Sequence, residues 1–194
     1  MADNIHPDFE RFVSREQKET LLAQKGCVLW LYGMSGSGKS TIATEVEHQL
    51  NVQGRLTAVL DGDNLRSGLN ADLGFTDEAR CENVRRTAEV AKLFASQGVI
   101  TLISVITPLK KFRQLAREII GSDFHEIYIK ADYETCAQRD PKGLYAKVAE
   151  GKVANFTGKD SGFEEPDQAE LILNTQTLSP EESAAKIIAL VSEH

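Results

Sequence analysis

No apolar run in this chain approaches the ~20 residues needed to cross a bilayer as a helix, so a helical membrane protein is excluded. Nor does Met1-Ala2-Asp3-Asn4 open a basic, then apolar, export signal, and the sequence reads as a soluble, cytoplasmic protein with no membrane partner. Cysteine is scarce: Cys27, Cys81 and Cys136 form no CxxC and no cluster with histidine, which argues against a zinc site or a disulfide framework and for reduced thiols. Positive charge is also short. A net charge of −7 means that the surface as a whole does not attract a polyanion, which leaves room for a local basic cleft, so non-specific binding of nucleic acid is not expected. With only five prolines, 41% hydrophobic and 26% charged residues, the composition is that of an ordinary globular chain, and 194 residues suit one core better than two. There is no internal repeat or low-complexity tract.

What is present alternates between two periods. Cys27 to Tyr32 is a continuous apolar run, the pattern of a strand buried on both faces of a parallel sheet. A glycine-rich turn follows, then a helix-compatible stretch with Ile42, Val46 and Leu50 on one face. Further strands are predicted at Thr57–Leu60, Val99–Ile106, Glu126–Ala131 and Leu171–Leu173. Thr76 caps a predicted helix that runs to about Gln97, and Ser179-Pro180-Glu181-Glu182 is a capping box opening the C-terminal helix. The alternation makes the fold class α/β, and the turn Gly33-Met34-Ser35-Gly36-Ser37-Gly38-Lys39-Ser40, a GxxxxGK[ST] match between the first strand and helix, makes it a P-loop kinase-like three-layer fold on a mostly parallel sheet of roughly five strands. Residues 1–24 read as an N-terminal arm or short helix, free to pack on a partner subunit, and 25–194 as a single domain. Within it, about 139–166 carries Gly143, Gly151, Gly158 and Gly162 among bases and lacks strong apolar periodicity, the pattern either of a mobile lid or of a solvated surface excursion.

The chemistry concentrates in two motifs. Gly33-Met34-Ser35-Gly36-Ser37-Gly38-Lys39-Ser40, followed by Thr41, fits GxxxxGK[ST] between a strand and a helix, where backbone N–H groups and a helix N-terminus cradle phosphates. Lys39 would reach the β- and γ-phosphates, and the Ser40 hydroxyl could ligate Mg²⁺. Asp61-Gly62-Asp63-Asn64-Leu65-Arg66 lies at the carboxyl end of the second strand, where α/β sheets bind ligands. Alone, such a sequence is better explained by a structural Asx-turn than by catalysis; beside a P-loop the balance reverses, and its carboxylates can orient a metal and an acceptor hydroxyl. Arg80 and Asn83, at i and i+3 of the predicted helix, would face the same side.

Together with Lys25-Gly26-Cys27, Asp72-Leu73-Gly74-Phe75, Glu82-Asn83-Val84-Arg85-Arg86, Arg139-Asp140-Pro141-Lys142-Gly143-Leu144-Tyr145 and Asn155-Phe156-Thr157-Gly158, these motifs resemble the adenylylsulfate kinase family across residues 25 to 175. The arm, with His6-Pro7 and Arg15, is similar to that family as well. The resemblance implies ATP as phosphoryl donor, Mg²⁺, and the 3′-hydroxyl of adenosine 5′-phosphosulfate (APS) as acceptor. It also implies a homodimer and functional pairing with a separate ATP sulfurylase. It assigns Asp63 as base or hydroxyl orienter, Asp61 and Ser40 to the metal, and Arg139 to the ATP adenine. Arg66, Arg80, Asn83, Lys142, Leu144, Ile106 and Thr107 would surround the acceptor, with Phe75 and Phe163 stacking on its adenine unless either is plain core.

Val105-Ile106-Thr107-Pro108 departs from the family's usual Phe-Ile-Ser-Pro. The threonine keeps the hydroxyl, and its β-methyl restricts χ1; direct in-line transfer with Thr107 binding or shaping the loop is the preferred reading. A kinase for another small alcohol (a nucleoside, gluconate, a shikimate-like metabolite) or a non-catalytic nucleotide binder are the alternatives. Paired arginines and aromatics favour a nucleotide-like anion, and no Asn-Lys-x-Asp is present for guanine.

Overall fold

The structure is a computed structural model that describes residues 11–152, 156–158 and 162–192. His6, Pro7, Asn155 and Lys159 lie outside the described residues. Five strands, β1 (Cys27–Tyr32), β2 (Thr57–Asp61), β3 (Ile100–Val105), β4 (Phe124–Lys130) and β5 (Leu171–Asn174), form one sheet in the order β2-β3-β1-β4-β5. Every pairing is parallel. The continuous apolar reading of β1 is explained by its place: all six of its residues are buried, and the strand is covered on both faces.

Alternation along β1 sorts its side chains into two cores. Cys27, Leu29 and Leu31 join Ile42, Val46 and Leu50 of α2 (Lys39–Val52) and Ala184 and Ile187 of α8 (Pro180–Ser192). Val28, Trp30 and Tyr32 join Val84, Ala88 and Ala91 of α4 (Asp77–Ala95) and Phe112 and Ala116 of α5 (Lys110–Ile120). The caps read from sequence are in place: the Thr76 hydroxyl accepts from the Ala79 N–H at 3.2 Å, and Ser179 and Glu182 exchange the two bonds of a capping box.

Three elements differ from expectation. The segment after β2, read as an Asx-turn, continues into a short helix, α3 (Gly62–Arg66), for which the Asp61 side chain is the cap. Helix α5 escaped the sequence reading because Leu109 offers no side-chain cap and the run that follows is basic. The 139–166 region, read as lacking apolar pattern, carries α7 (Leu144–Ala149), whose Tyr145 and Val148 form a third cluster with Phe156, Ala131 and Cys136 of α6 (Tyr133–Arg139). Its apolar residues are too widely spaced to register as a period.

The described part of the arm docks on the chain's own body. In α1 (Arg15–Leu22), Arg15 bonds Asp123 at 2.6 Å and the Gly26 carbonyl at 2.7 Å, and Gln24 bonds the Leu56 and Gly98 carbonyls at 2.9 and 2.7 Å. Gly26 leads into β1 against the end of α4 so closely that a β-carbon there would sit 2.0 Å from the Ala95 carbonyl oxygen. Backbone on both sides leaves no flexible atom to yield. Gly26→Ala should therefore lower stability by about 2 kcal/mol or more, in the range of overpacked cores; a wild-type denaturant midpoint in the variant would show that the α4–β1 junction moves aside freely.

Candidate functional site

The carboxyl ends of the parallel strands open into one cleft of about 820 Å³. Its floor at the centre is the glycine-rich turn between β1 and α2. Gly36 has φ +78, and a β-carbon there would lie 2.8 Å from the Cys136 carbonyl oxygen, so both conformation and space demand glycine. The Gly33 N–H donates to the Ile106 carbonyl at 3.3 Å, tying this turn to the loop after β3. The Ser35 carbonyl accepts from the Tyr145 hydroxyl at 2.8 Å, and the Ser37 carbonyl accepts from Thr175 at 2.9 Å. Neighbouring elements thus hold the turn open toward the cleft.

Lys39, at the first position of α2, is buried and donates from Nζ to the Met34 carbonyl at 2.7 Å. Burial first, and the nearby Lys142 charge second, push its pKa down to about 8, with Cys136, Asp61 and Asp63 partly offsetting them. The Ser40 hydroxyl donates to Asp61 Oδ2 at 2.7 Å and lies 3.1 Å from the Ser104 hydroxyl. Asp61 also accepts the Asp63 N–H at 3.0 Å. Burial raises the Asp61 pKa, but the bonds from Ser40, Asp63 and Ser104 outweigh it and leave the carboxyl below its ordinary value. Ser40 and Asp61 thus bring two hard oxygen donors together, which fits Mg²⁺, an ion that takes few protein ligands and keeps waters. Among the described residues there is no cluster of three or more histidine, cysteine or acidic side chains that would serve a metal needing a fuller cage.

On the opposite wall, α3, α4 and the connection between them present Asp63, Arg66, Phe75, Arg80 and Asn83 to the same cleft. Arg66 donates to the Leu73 and Gly74 carbonyls at 3.1 Å each, and its guanidinium stands 4.3 Å from the Phe75 ring centroid. Arg80 bonds the Phe75 carbonyl at 3.0 Å and the Thr157 hydroxyl at 2.7 Å. Burial depresses both arginine pKa values, a sign that these cations lack full hydration. The Asn83 side-chain oxygen accepts from Asn70 at 3.0 Å, which fixes the carboxamide's orientation. Phe75 is 62% exposed at the rim, an apolar face turned to solvent.

The 139–152 segment closes the cleft from above. Arg139 bonds the Thr175 hydroxyl and carbonyl at 2.9 and 2.8 Å beside the glycine-rich turn. Lys142 forms an ion pair with Asp63, and Leu144 lines the cavity. Ile106 and Thr107 form the wall after β3, where Thr107 has φ +38 and its hydroxyl accepts from the Trp30 indole at 3.0 Å.

Of the residues singled out from sequence, Ser35, Gly36, Gly38, Lys39, Ser40, Thr41, Asp61, Asp63, Arg66, Phe75, Arg80, Asn83, Ile106, Thr107, Arg139, Lys142 and Leu144 share this one cavity. Gly33, Met34 and Ser37 support it from behind. Phe163 is placed differently: it stacks on Tyr128 and Tyr32, with centroids at 5.6 and 6.3 Å, packs half-buried against the second core, and does not line the cleft. Its apolar partners are remote in sequence, so nothing local marks that packing. Ser104, Thr157 and Thr175 line the cleft but were not singled out. Thr157 lies in a motif that was quoted, whereas Ser104 sits inside what reads only as a buried strand.

A family model described as adenylylsulphate kinase matches residues 25–174. The adenylyl-sulfate kinase of Phocaeicola vulgatus is 50% identical over 190 residues, covering 97% of this chain and 93% of that one. That of Clostridium kluyveri is 49% identical over 180 residues, covering 93% and 90%. A solved structure of the Mycobacterium tuberculosis APS kinase CysC in complex with AMPPNP and APS superposes with a TM-score of 0.84 at 44% identity, covering 87% of this chain and 99% of that chain.

The depressed Lys39 pKa has a sign that calorimetry can read. In the free protein the ammonium loses its proton near pH 8, and bound phosphates favour the protonated form, so nucleotide binding above that pH must take up a proton. Nucleotide affinity should be flat below pH 7.5 and fall by about tenfold per pH unit above 8.5, and calorimetry at pH 9 in buffers of different ionisation enthalpy should show uptake approaching one proton. Affinity unchanged across that range would mean that Lys39 stays charged when empty.

Proposed function

The chain belongs to the adenylylsulfate kinase family, and from that premise we propose how its residues divide the work of phosphorylating APS. ATP gives up its γ-phosphoryl group to the ribose 3′-hydroxyl of APS, yielding ADP and 3′-phosphoadenosine 5′-phosphosulfate. One observation supports the division of labour most directly: the triphosphate turn and the Asp63/Arg66/Arg80 wall face each other across a single cleft, so a donor and an anionic acceptor fit end to end.

On the donor side, the N–H groups of Gly36 to Ser40 and the start of α2 hold the β- and γ-phosphates. Lys39 exchanges its Met34 carbonyl for phosphate oxygens. Arg139, held flat by Thr175, packs on the ATP adenine. Ser40 and Asp61 would hold Mg²⁺, which supplies charge neutralisation for the phosphates.

On the acceptor side, Arg66 and Arg80 bind the phosphosulfate; their planar forks suit its oxygens, and their incomplete hydration lowers the cost of exchanging water for an anion. Phe75 offers its exposed face to the acceptor adenine, while Asn83, Ile106 and Leu144 frame it. Asp63 accepts the proton of the 3′-hydroxyl as that oxygen bonds to phosphorus and the bond to the β–γ bridging oxygen breaks. In this structure Asp63 is paired with Lys142, so Lys142 turns to the acceptor's anionic group when APS enters, releasing the carboxylate. The segment from Arg139 onward acts as the lid that keeps water from competing with the hydroxyl.

Transfer is direct. Thr107 Oγ1 is buried and already accepts the Trp30 indole, an arrangement suited to shaping a loop and not to attacking phosphorus. We read the chain as a homodimer that draws APS from a separate ATP sulfurylase; the edge position of β2, preceded by half-exposed Leu56, supports a second copy on that side.

A coupled ADP-release assay with Mg²⁺ and ATP should show rapid turnover with APS and little with gluconate, shikimate or a nucleoside; the reverse preference would end this reading. Asp63→Asn should cost about a hundredfold or more in kcat, as loss of a positioned base does, with nucleotide affinity kept. Thr107→Ala should still turn over and carry no phosphate on the protein by mass spectrometry; complete loss of turnover in a folded Thr107→Ala protein would reinstate a phosphothreonine.

A further inference from the structure

We propose that Arg113, which lines no part of the catalytic cleft, is a positioning residue that sets the acceptor wall and ties it to the far end of the lid; this rests on the cleft being an APS site. Arg113 projects from α5 into the second core and is 3% exposed. A guanidinium removed from water needs a partner for each donor. Here Nε pairs with Glu126 at 3.1 Å, Nη1 donates to the carbonyls of Thr107 and Pro108 at 3.1 and 3.2 Å, and Nη2 donates to the Glu164 carbonyl at 2.9 Å. Its plane lies over Tyr32, 4.6 Å from the ring centroid.

Two of those acceptors belong to the Ile106–Pro108 wall of the cleft. Thr107 there is a β-branched residue with φ +38, a conformation that costs about 1–3 kcal/mol and persists only where the surroundings overdetermine it. Arg113 on the carbonyl side and Trp30 on the hydroxyl side are the groups that do so. The third acceptor, Glu164, is docked on the same loop. Its N–H donates to the Pro108 carbonyl at 2.9 Å and its carboxylate accepts from the Lys110 N–H at 2.6 Å. One buried cation therefore crosslinks the loop after β3, the C-terminal root of the lid and, through Glu126 and the Tyr32 hydroxyl at 2.8 Å, the two central strands. Arg113 bonds the Thr107 and Pro108 carbonyls directly, whereas it reaches the glycine-rich turn one step removed, through the Ile106 to Gly33 bond and through Tyr32, which precedes Gly33, so disturbance at Arg113 should reach the acceptor before the donor.

Arg113→Lys keeps the charge but cannot serve two carbonyls and Glu126 in one plane. The KM for APS should rise by about fivefold or more while the KM for ATP stays within about twofold, because a wall displaced by a fraction of an ångström misplaces one substrate only. Glu126→Gln, isosteric but unable to accept with its amide nitrogen, should produce the same split more weakly, and it carries the test should the lysine variant not fold. Wild-type enzyme run in parallel separates the two questions: no turnover of APS by the wild type refutes the function. Normal wild-type turnover with both KM values unchanged in the folded variants, or both raised together, overturns the role of Arg113.

Discussion

Parallel pairing of β1 with both β3 and β4 is the constraint on which the rest of this molecule depends. Parallel ladders bring every carboxyl end to the same edge of the sheet, and the register here aligns Tyr32 with Val105 and with Tyr128, and Asp61 with Ser104. The glycine-rich turn, the Asp61 cap, the Thr107 loop, the α6–α7 segment and Thr175 therefore all emerge at one rim. No single one of these segments makes a site. The sheet places a phosphate cradle, a carboxylate pair and an anion wall within one cavity, as expected where strand order reverses in an open α/β sheet.

That cavity solves an electrostatic problem set by the sequence. A chain of net charge −7 must bind two polyanions. In the proposed reading it does so by local desolvation: Lys39, Arg66 and Arg80 are all held where burial disfavours their charge, so an arriving anion would regain for them what water no longer provides. The Lys142–Asp63 pair keeps the proposed base neutralised until an acceptor competes for the lysine. Elsewhere, Arg113 and Glu126 show the opposite use of buried charge, as a fixed crosslink whose donors are taken up by carbonyls.

Legibility in the sequence followed how local the cause was. The glycine-rich turn, the caps at Thr76 and Ser179, and the apolar strands each depend on residues a few positions apart, and each is where the sequence put it. Gly62–Arg66 read as an Asx-turn and not as a helix because its helix is set by the Asp61 cap and the end of β2, not by periodicity. Phe163 and Phe75 look alike in sequence, each an aromatic among polar neighbours. One is sealed against Tyr128 and the other left at the rim, a difference made by strands far away in the chain. Arg113 sits in Lys110-Lys111-Phe112-Arg113, which reads as a solvated basic run; only the packing of α5 on the sheet turns its third base inward.

By itself, then, the sequence determined the fold class, the glycine-rich turn and the family, because these rest on contiguous backbone conformations that short motifs specify. The tertiary structure decided which side chains meet at and behind the cleft: that Ser40 reaches Asp61, that Lys142 covers Asp63, and that Thr107 is bonded by Trp30. Those pairings join residues up to 79 positions apart, and they depend on the twist and register of the sheet between them, quantities that no single segment encodes.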